Sequence, residues 1–245
     1  GIALQKGDVA YRCNLIALSD EEETLEQRRI LSHSAGSIEG ADALQVMEIL
    51  ESDPAFRAAE EEAGMEIHRF PAFRQIAVQH HGDVAGLRLI PPHDHLGEAA
   101  GPLLPSGNKT AEKLLKLERL AHEILHRHPF NEARRAQGKL PANGIWFWAE
   151  GTAVELPDFR KAYGHWGGVI SAVPLCHGIG VLRGLAQIEV EGATGELDTN
   201  FEGKMEAAYT LLQKEDFVCV HVEAPDECTH NGDLPGKIQA IEWLD

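Results

Sequence analysis

The chain has 245 residues, of which 43% are hydrophobic and 25% are charged. This composition is typical of a soluble globular protein, and the length fits one large domain or two smaller ones. The formal net charge of -17 disfavours binding to nucleic acid or to anionic membranes, because both require clustered lysine and arginine.

The most apolar window, residues 167–186, contains His177, Arg183 and five glycines, which excludes a membrane span. No signal peptide or lipidation motif opens the sequence, so we expect a cytoplasmic protein. The sequence starts at Gly1 rather than Met, which is consistent with a piece of a longer polypeptide. The four cysteines form no CxxC pair, and the alternation around Cys219 predicts a buried, reduced thiol.

The first predicted elements are a strand and a helix. Residues 8–18, DVAYRCNLIAL, have the apolar character of a strand, and an acidic turn or helix start follows. Residues 41–64 have helical spacing, with apolar residues in steps of three and four and an interruption at Pro54. The predicted apolar stripe comprises Leu44, Met47 and Leu50, with Val46 and Ile49 beside it.

Residues 66–92 alternate well enough for two strands, with the HHGD sequence as the turn between them. Residues 108–129 contain the clearest helix of the chain, capped by Asn108 or Thr110. Its buried side is predicted to comprise Leu114, Leu117, Leu120, Ile124 and Leu125. A short aromatic strand, GIWFWAEG, follows at 144–151.

The last third of the chain has a regular pattern, and a domain boundary is predicted near residues 155–165. Strands are predicted at 167–174 and 216–224, with a glycine-rich turn at 175–186 and a helix at 202–213. Strands that alternate with helices favour a mostly parallel sheet, so the predicted fold class is α/β. The apolar sequence DFVCV is typical of a strand that is buried on both faces.

The sequence HEILH at 122–126 matches the zinc-peptidase pattern HExxH. Two histidines four apart share one helical face, and the glutamate between them can activate a metal-bound water. Alternatively, His122 and His126 lie on the solvated face, with His128 near the helix C-terminus, where a cation is favoured. No third ligand is indicated downstream, so we favour the structural interpretation.

Asp226 and His230 directly follow a predicted strand, at the edge of an α/β sheet where ligands collect. They are four residues apart, so one helical turn would direct both side chains at a single cation. Carboxylate oxygen together with imidazole nitrogen suits Zn or Mn better than Ca. The alternative is a polar turn with a helix N-cap at Asp226.

Three further groups of residues carry weaker signals. A stiff loop after two prolines contains His93, Asp94 and His95, and it either presents ligands or turns the chain. The glycine-rich segment at 191–204 is interpreted as a structural or phosphate-holding turn. Four arginines lie in or beside apolar runs, where they are either buried ion-pair partners or forks for phosphate or carboxylate. These are Arg12, Arg74, Arg88 and Arg183.

Several ordered motifs resemble those of the archaeal-type cofactor-independent phosphoglycerate mutases and of their bacterial relatives, some of them proposed as homoserine kinases. They are DVAYRCNL, HSAG, FRQIAV, PPHD, NGIWFWAEG, SAVPLCHGIGVLRGLA, EGATGELDTNFEGK and FVCVHVEAPDECTHNGD. The resemblance implies an alkaline-phosphatase-like α/β fold with a mostly parallel sheet. Residues 1–160 would be an inserted substrate-binding cap domain, and residues 161–245 part of the metal-binding core.

The resemblance also implies a chemistry. Members of this family interconvert 2-phosphoglycerate and 3-phosphoglycerate through a phosphoserine intermediate, with two divalent ions (Mn, Zn or Mg) and no organic cofactor. The metal motif D-x-x-x-H falls on Asp226 and His230. The substrate-binding residues of the cap fall on Arg74, His93 and Asp94, and also on Arg12. The expected ligand is therefore a small phosphorylated substrate.

The chain departs from the family pattern in two ways. His177 stands where the family has a lysine, and a histidine is a cation for only part of the time near neutral pH, so we expect weaker or pH-dependent phosphate binding there. The family also places its nucleophilic serine and first metal aspartate upstream of this segment, and further metal ligands downstream. We therefore expect these 245 residues alone to be inactive.

Three alternatives stay open at this stage. One is a kinase that acts on homoserine, although no GxxxxGK[ST] loop is present. Another is a noncatalytic ligand-binding module formed by the cap, and the third is the zinc peptidase. The oligomeric state does not follow from the sequence.

Overall fold

The computed structural model describes residues 2–22, 24–230 and 232–245, and it leaves the side chain of His230 undescribed. The chain is a mixed α/β protein that divides into two compact units, residues 2–153 and 154–245. In the described residues, no helix has both the length and the apolar character needed to cross a membrane.

The first unit combines five strands with four helices in its described residues. They are β1 (Val9–Leu18), β2 (Ile30–Ser32), α1 (Gly40–Ser52), α2 (Pro54–Ala63), β3 (Met65–His68), β4 (Arg74–Gln79), α3 (Lys109–Leu125), α4 (Pro129–Ala136) and β5 (Gly144–Thr152). Two short 3-10 helices, Pro92–His95 and Gly101–Leu103, lie between β4 and α3.

The sheet of this unit is antiparallel and centred on β1, which pairs with β2, β4 and β5. The register places Arg12 opposite Trp148 of β5 and Asn14 opposite Arg74 of β4. Directly paired residues point to the same face of a sheet, and alternate residues of a strand do so as well. These four side chains therefore share one face.

The opposite face of β1 is the hydrophobic core. It packs against the helices through fully buried side chains, among them Tyr11, Cys13, Leu15, Val46, Met47, Leu50, Leu114, Leu117 and Leu125. The predicted helix at 108–129 is confirmed, and the side chain of its N-cap Asn108 accepts a hydrogen bond from the amide of Ala111 at 3.0 Å. In α1, Ala43 lies in the core and Leu44 is 38% exposed, so the predicted stripe was wrong at Leu44.

The two strands predicted in residues 66–92 are β3 and β4, but the turn between them was placed wrongly. They pair antiparallel, with Met65 opposite Gln79, and residues 69–73 connect them. The HHGD sequence follows β4 instead. The chain does turn at this sequence, since His81 has a positive φ of 54°, a backbone conformation typical of turns, but the turn lies beyond β4.

The second unit has a parallel sheet in the order β7-β6-β8, as predicted for this part of the chain. Its elements are α5 (Phe159–Tyr163), β6 (Gly167–Ile170), α6 (Pro174–Leu182), β7 (Ala186–Gln187), α7 (Phe201–Leu212), β8 (Phe217–Val220), α8 (Ala224–His230) and α9 (Leu234–Leu244). The segment predicted as a glycine-rich turn is largely the helix α6.

Strand β8 was predicted to be buried on both faces, and this was wrong. Phe217, Val218 and Val220 are half-buried, and Cys219 is exposed, so the predicted buried thiol was also wrong. In the described part of the sheet, β8 pairs only with β6 and forms an edge. An apolar strand at an edge lacks the neighbour that would cover it.

The helices of the second unit also carry large exposed apolar side chains. They include Leu175, Ile179, Val181, Met205, Tyr209, Leu234, Ile238, Ile241 and Trp243, each at least 44% exposed. Single exposed apolar side chains are common, but so many within the 92 residues of one unit are typical of surfaces suited to contact with other polypeptide.

Candidate anion-binding site

The face of the first unit's sheet that lies opposite the main core is partly covered by a second apolar cluster, which includes Ile16 and Leu18 of β1. Arg12 and Arg74 lie on the part of this face that faces solvent. Both side chains are exposed, on neighbouring strands. Among the described residues, no carboxylate lies within ion-pair distance of either guanidinium. Two unpaired arginines on one face are unusual in a chain with a net charge of -17, and they form a cationic surface for an anion.

Aromatic rings fix the positions of both guanidinium groups. Arg12 lies over the ring of Trp148, 4.8 Å from the centroid, and Arg74 lies over Phe73 at 4.5 Å. The indole N–H of Trp148 donates to Oδ1 of Asn14 at 3.1 Å. A ring face attracts a cation without neutralising its charge, so both arginines keep their hydrogen-bond donors for a ligand.

His93 and Asp94 reach this face from the 3-10 helix Pro92–His95. The ring of His93 meets Trp148 edge-on, with centroids 5.0 Å apart. Its Nε2 lies 3.6 Å from Oδ1 of Asp94, and both side chains are largely exposed. His93 therefore lies on the same tryptophan as Arg12, and Asp94 is the one carboxylate in contact with His93 among the described residues.

His33 also belongs to this face, and sequence reasoning missed it. Its ring packs edge-on against Phe73 at 5.8 Å and against His93 at 6.0 Å between centroids. The side-chain amide of Asn14 donates to the backbone carbonyl of His33 at 2.9 Å. Burial lowers the pKa of His33 from its ordinary 6.5, and the charges of His93 and Arg74 lower it further. The signal in the sequence was the HSAG motif, which we did not interpret chemically.

The turn that follows His33 is strained. Ala35 and Ser37 have φ of 49° and 56°, a backbone conformation that residues other than glycine adopt only at a cost in free energy. The buried Arg134 holds the turn by donating to the carbonyl oxygen of Ala35 at 3.2 Å and to Asp42 Oδ2 at 2.7 Å. Strain of this kind persists where surrounding contacts enforce it, often beside a ligand site.

We name these residues the arginine–histidine cluster, which comprises Arg12, Arg74, His33 and His93 with the supporting residues Asn14, Phe73 and Trp148. Guanidinium groups donate forked hydrogen bonds to phosphate or carboxylate, and imidazole adds a further donor. The geometry therefore suits a small anion with several oxygens.

His177 lies in the second unit and is held by protein groups through both ring nitrogens. Its Nδ1 contacts Oε1 of Gln187 at 2.8 Å, and its Nε2 contacts the backbone carbonyl of Ser171. The Gln187 amide donates in return to the His177 carbonyl at 2.8 Å. These hydrogen bonds join α6 to β7 and to the end of β6. For His177 to bind a substrate, as predicted, the ring would have to exchange one of these contacts.

Asp226 lies on α8 directly after β8, and its side chain is exposed. His230 is the last residue of α8, four positions later, but its side chain lies outside the described residues. Among the side chains that are described, no group of three His, Cys, Asp or Glu is placed to hold a metal ion. The predicted metal pair has the helical spacing required, since both residues lie on α8.

The glycine-rich segment 191–204 forms a turn held by its own side chains. Thr194 Oγ1 donates to Asp198 Oδ1 at 2.8 Å, and the Asn200 amide donates to the Glu191 carbonyl at 2.9 Å. Lys204 is buried beneath it, with Nζ 3.2 Å from the Thr194 carbonyl. These contacts favour the structural interpretation of the segment.

The favoured interpretation placed the two HEILH histidines on a solvated face of the helix, and this was wrong. His122 is buried, and its Nδ1 contacts the Asn143 carbonyl at 2.8 Å. Nε2 of His126 lies 3.2 Å from Arg28, whose charge disfavours a metal ion at that place. Glu123 is exposed on another face of α3, so it is not placed to activate a water between the two rings.

These observations define the chain as a mixed α/β protein. One sheet face carries arginines and aromatic rings in an arrangement that suits a small anion. A family model described as 2,3-bisphosphoglycerate-independent phosphoglycerate mutase matches residues 1–131, more than half of the chain. The chain belongs to this family, as the motifs in the sequence predicted.

Curated relatives match over the whole chain. A probable 2,3-bisphosphoglycerate-independent phosphoglycerate mutase from Geobacter sulfurreducens is 39% identical over 245 residues, and its counterpart from Methanosarcina acetivorans is 41% identical. The chain covers 59% of the first protein and 58% of the second. It therefore spans less than two thirds of the length of the relatives it matches.

Solved structures agree with the fold. A protein from Pyrococcus horikoshii superposes with a TM-score of 0.69 at 26% identity, and the match covers 100% of this chain and 54% of that one. A cofactor-independent phosphoglycerate mutase from Thermoplasma acidophilum gives a TM-score of 0.57 at 22% identity, over 98% of this chain and 59% of that one. At this lower identity the likeness extends to the fold alone.

Proposed function

We propose that this chain is part of a cofactor-independent phosphoglycerate mutase, which interconverts 2-phosphoglycerate and 3-phosphoglycerate through a phosphoserine intermediate. The observation that carries the proposal is the position of Arg12 and Arg74, which share the exposed part of one sheet face without a carboxylate partner among the described residues. Membership in the family supports the same activity.

In this proposal the arginine–histidine cluster holds the substrate. The substrate carries a phosphate and a carboxylate, and two guanidinium groups in fixed positions can each donate a fork to one of them. Holding both groups orients the molecule for transfer of the phosphoryl group. His93 and Asp94 would contact the substrate from the 3-10 helix, with Asp94 accepting from a hydroxyl or orienting His93.

We further propose that the two units correspond to the two domains expected from the sequence. The first would be the substrate-binding cap, and the second would be part of an alkaline-phosphatase-like core. The boundary between the units at 153–154 lies close to the predicted boundary near residue 160. The antiparallel sheet of the first unit and the parallel sheet of the second support this division.

Asp226 and His230 would hold one of two divalent ions (Mn, Zn or Mg), with the remaining ligands coming from outside this segment. Their spacing on α8 fits such a role, because residues four apart share one helical face. Bound divalent ions stabilise the negative charge of a phosphoryl group during its transfer. No organic cofactor is proposed.

The proposed activity needs polypeptide beyond these 245 residues. The relatives are longer than the chain, and the exposed apolar faces of α6, α7 and α9 and the edge of β8 are surfaces that further segments would cover. The nucleophilic serine would lie in such a segment. The isolated chain would then bind substrate without turning it over. A cytoplasmic location stays a prediction.

The test is a mutase assay with Mn and 3-phosphoglycerate on two proteins, the 245-residue chain and the product of the complete reading frame that contains it. We expect turnover by the longer protein only, and loss of most of that turnover in Arg74→Met. The matched control is Arg119→Met, because Arg119 forms an exposed ion pair with Glu26 in the same unit. Turnover that withstands Arg74→Met would contradict the proposal.

Two further measurements on the complete protein, homoserine phosphorylation and phosphoglycerate binding, separate the alternatives. Phosphorylation of homoserine with ATP, in the absence of mutase turnover, would identify the kinase. Binding of phosphoglycerate without turnover by the complete protein would identify a noncatalytic module.

A further inference from the structure

His33 is half-buried at the entrance of the strained turn 34–37, on the same face as the two arginines. The charged and titratable groups around it come from two other elements: Arg74 from β4, and His93 with its neighbour Asp94 from the 3-10 helix. Phe73 packs against its ring, and the hydrogen bond from Asn14 fixes its backbone. The ring is therefore held in place beside an excess of positive charge.

We infer that His33 is a further anion-contacting residue of the cluster, and that it takes up a proton from solvent when a dianion binds there. Among the described residues, no oxygen-bearing side chain contacts the ring of His33, which packs against the rings of Phe73 and His93. A bound dianion would supply the acceptor that a protonated ring requires.

The physical reason is the sign of the local charge. In the free protein, burial and the charges of His93 and Arg74 lower the pKa of His33 below its ordinary 6.5. A dianion placed among the same groups reverses the field and favours the imidazolium form. Proton uptake and anion binding are therefore linked, so each strengthens the other.

This linkage deepens the proposed function, on which it rests for the nature of the ligand: over the pH range in which a phosphate ester is still a dianion, the site would bind that dianion more tightly as the pH falls. Between the pKa of the free state and that of the bound state, affinity falls as the pH rises. For one coupled proton the fall reaches at most about tenfold per pH unit.

The test uses the whole 245-residue chain and inorganic sulfate, a dianion that does not itself titrate where histidine does. Calorimetric titration in two buffers with different heats of ionisation gives the number of protons taken up on binding. We expect the wild-type chain to take up protons and His33→Asn to take up measurably fewer, because only His93 of the cluster can then gain one. The matched control is His81→Asn, because His81 is exposed and its φ of 54° suits asparagine.

Uptake that is undiminished in His33→Asn would overturn the inference, and so would a wild-type chain that does not bind sulfate or binds it without taking up a proton. A second measurement does not depend on a variant. The ring resonances of His33 in the wild-type chain are followed by NMR against pH, with and without sulfate, and we expect the titration midpoint to rise when sulfate is bound. An unchanged midpoint would also overturn the inference.

The outcome is separable from that of the mutase assay. Proton-linked sulfate binding through His33 together with a complete protein that lacks mutase turnover would retain the inference and reject the proposed function. Mutase turnover together with proton uptake that His33→Asn does not change would support the proposed function and reject the inference.

Discussion

The guanidinium of Arg12 lies over the indole of Trp148, 4.8 Å from the ring centroid, where β1 and β5 place the two residues directly opposite each other. The same indole meets the edge of His93 and donates to Asn14. One tryptophan thus positions Arg12 and His93, and it leaves the donors of the guanidinium available to a ligand.

Replacing Trp148 with Leu should weaken anion binding without removing a charge. A cation–π contact contributes about 0.5–2 kcal/mol, so we expect sulfate affinity to fall by roughly 2- to 30-fold. The measurement is a sulfate titration at low ionic strength. Trp243→Leu is the control, because Trp243 is half exposed on α9 in the second unit. Equal affinities of the two variants would contradict the role of Trp148.

Removing either arginine should have a larger effect than removing the tryptophan. Arg12→Met and Arg74→Met each delete a charged donor fork, and hydrogen bonds to charged groups contribute about 1.5–3 kcal/mol, so we expect at least a tenfold loss of sulfate affinity. The salt dependence of binding should weaken as well. Arg119→Met should bind like the wild-type chain. An unchanged affinity in Arg74→Met would remove this residue from the site.

Arg134→Leu should destabilise the first unit. Its Nη1 donates to Asp42, its Nη2 to Ala35 and its Nε to the Leu140 carbonyl at 3.0 Å, and all three acceptors would lose their partner. We expect a loss of about 3 kcal/mol in the free energy of unfolding, measured by urea titration. Arg119→Leu breaks only an exposed ion pair and should cost less than about 1 kcal/mol. Similar losses in both variants would contradict the account of the turn.

The stability of the first unit should fall in acid because of His122. Burial lowers the pKa of His122 from 6.5 to about 4, so the unfolded chain binds this proton more readily than the folded one. The stabilisation is complete above about pH 6.5 and is lost as the pH falls towards 4, roughly 3 kcal/mol in total. His122→Asn should unfold with a shallower pH dependence in urea titrations over this range. A slope identical to that of the wild-type chain would show that another group is responsible.

Cysteine reactivity reports on the edge of β8. Cys219 is exposed, whereas Cys13 and Cys228 are buried, so a maleimide should label Cys219 in the native 245-residue chain and the other two only after unfolding. If further polypeptide covers β8, the product of the complete reading frame should react much more slowly at Cys219. Equal rates in the short and the complete protein would show that this strand stays open.

Local patterns predicted the elements whose side chains repeat with a clear period. The helix α3 and its Asn108 cap follow from leucine spacing and a polar residue at the start. The β3–β4 turn was misplaced because HHGD carries stronger turn chemistry than the connection at 69–73. The exposure of Leu44 could not be foreseen, because the neighbouring Ala43 fits between the helix and the sheet.

The candidate site was only partly accessible to sequence reasoning. Arg12, Arg74, His93 and Asp94 were proposed as site residues from the resemblance, but their meeting place depends on the register of three strands, which the sequence does not encode locally. His33 was missed because it lies in an irregular turn, where neither periodicity nor charge marks it. Cys219 was predicted to be buried because an apolar strand does not reveal whether it has a second neighbour.

The most direct test of the central claim, that a phosphorylated substrate binds at the arginine–histidine cluster, uses the four tryptophan indole signals of the chain. Adding 3-phosphoglycerate to the ¹⁵N-labelled 245-residue chain should shift the indole N–H signal of Trp148, which lies within the cluster. Trp166 and Trp243 are in the other unit and should not move. A Trp148 signal that stays in place at saturating ligand, or one that shifts equally in Arg12→Met, would contradict the claim.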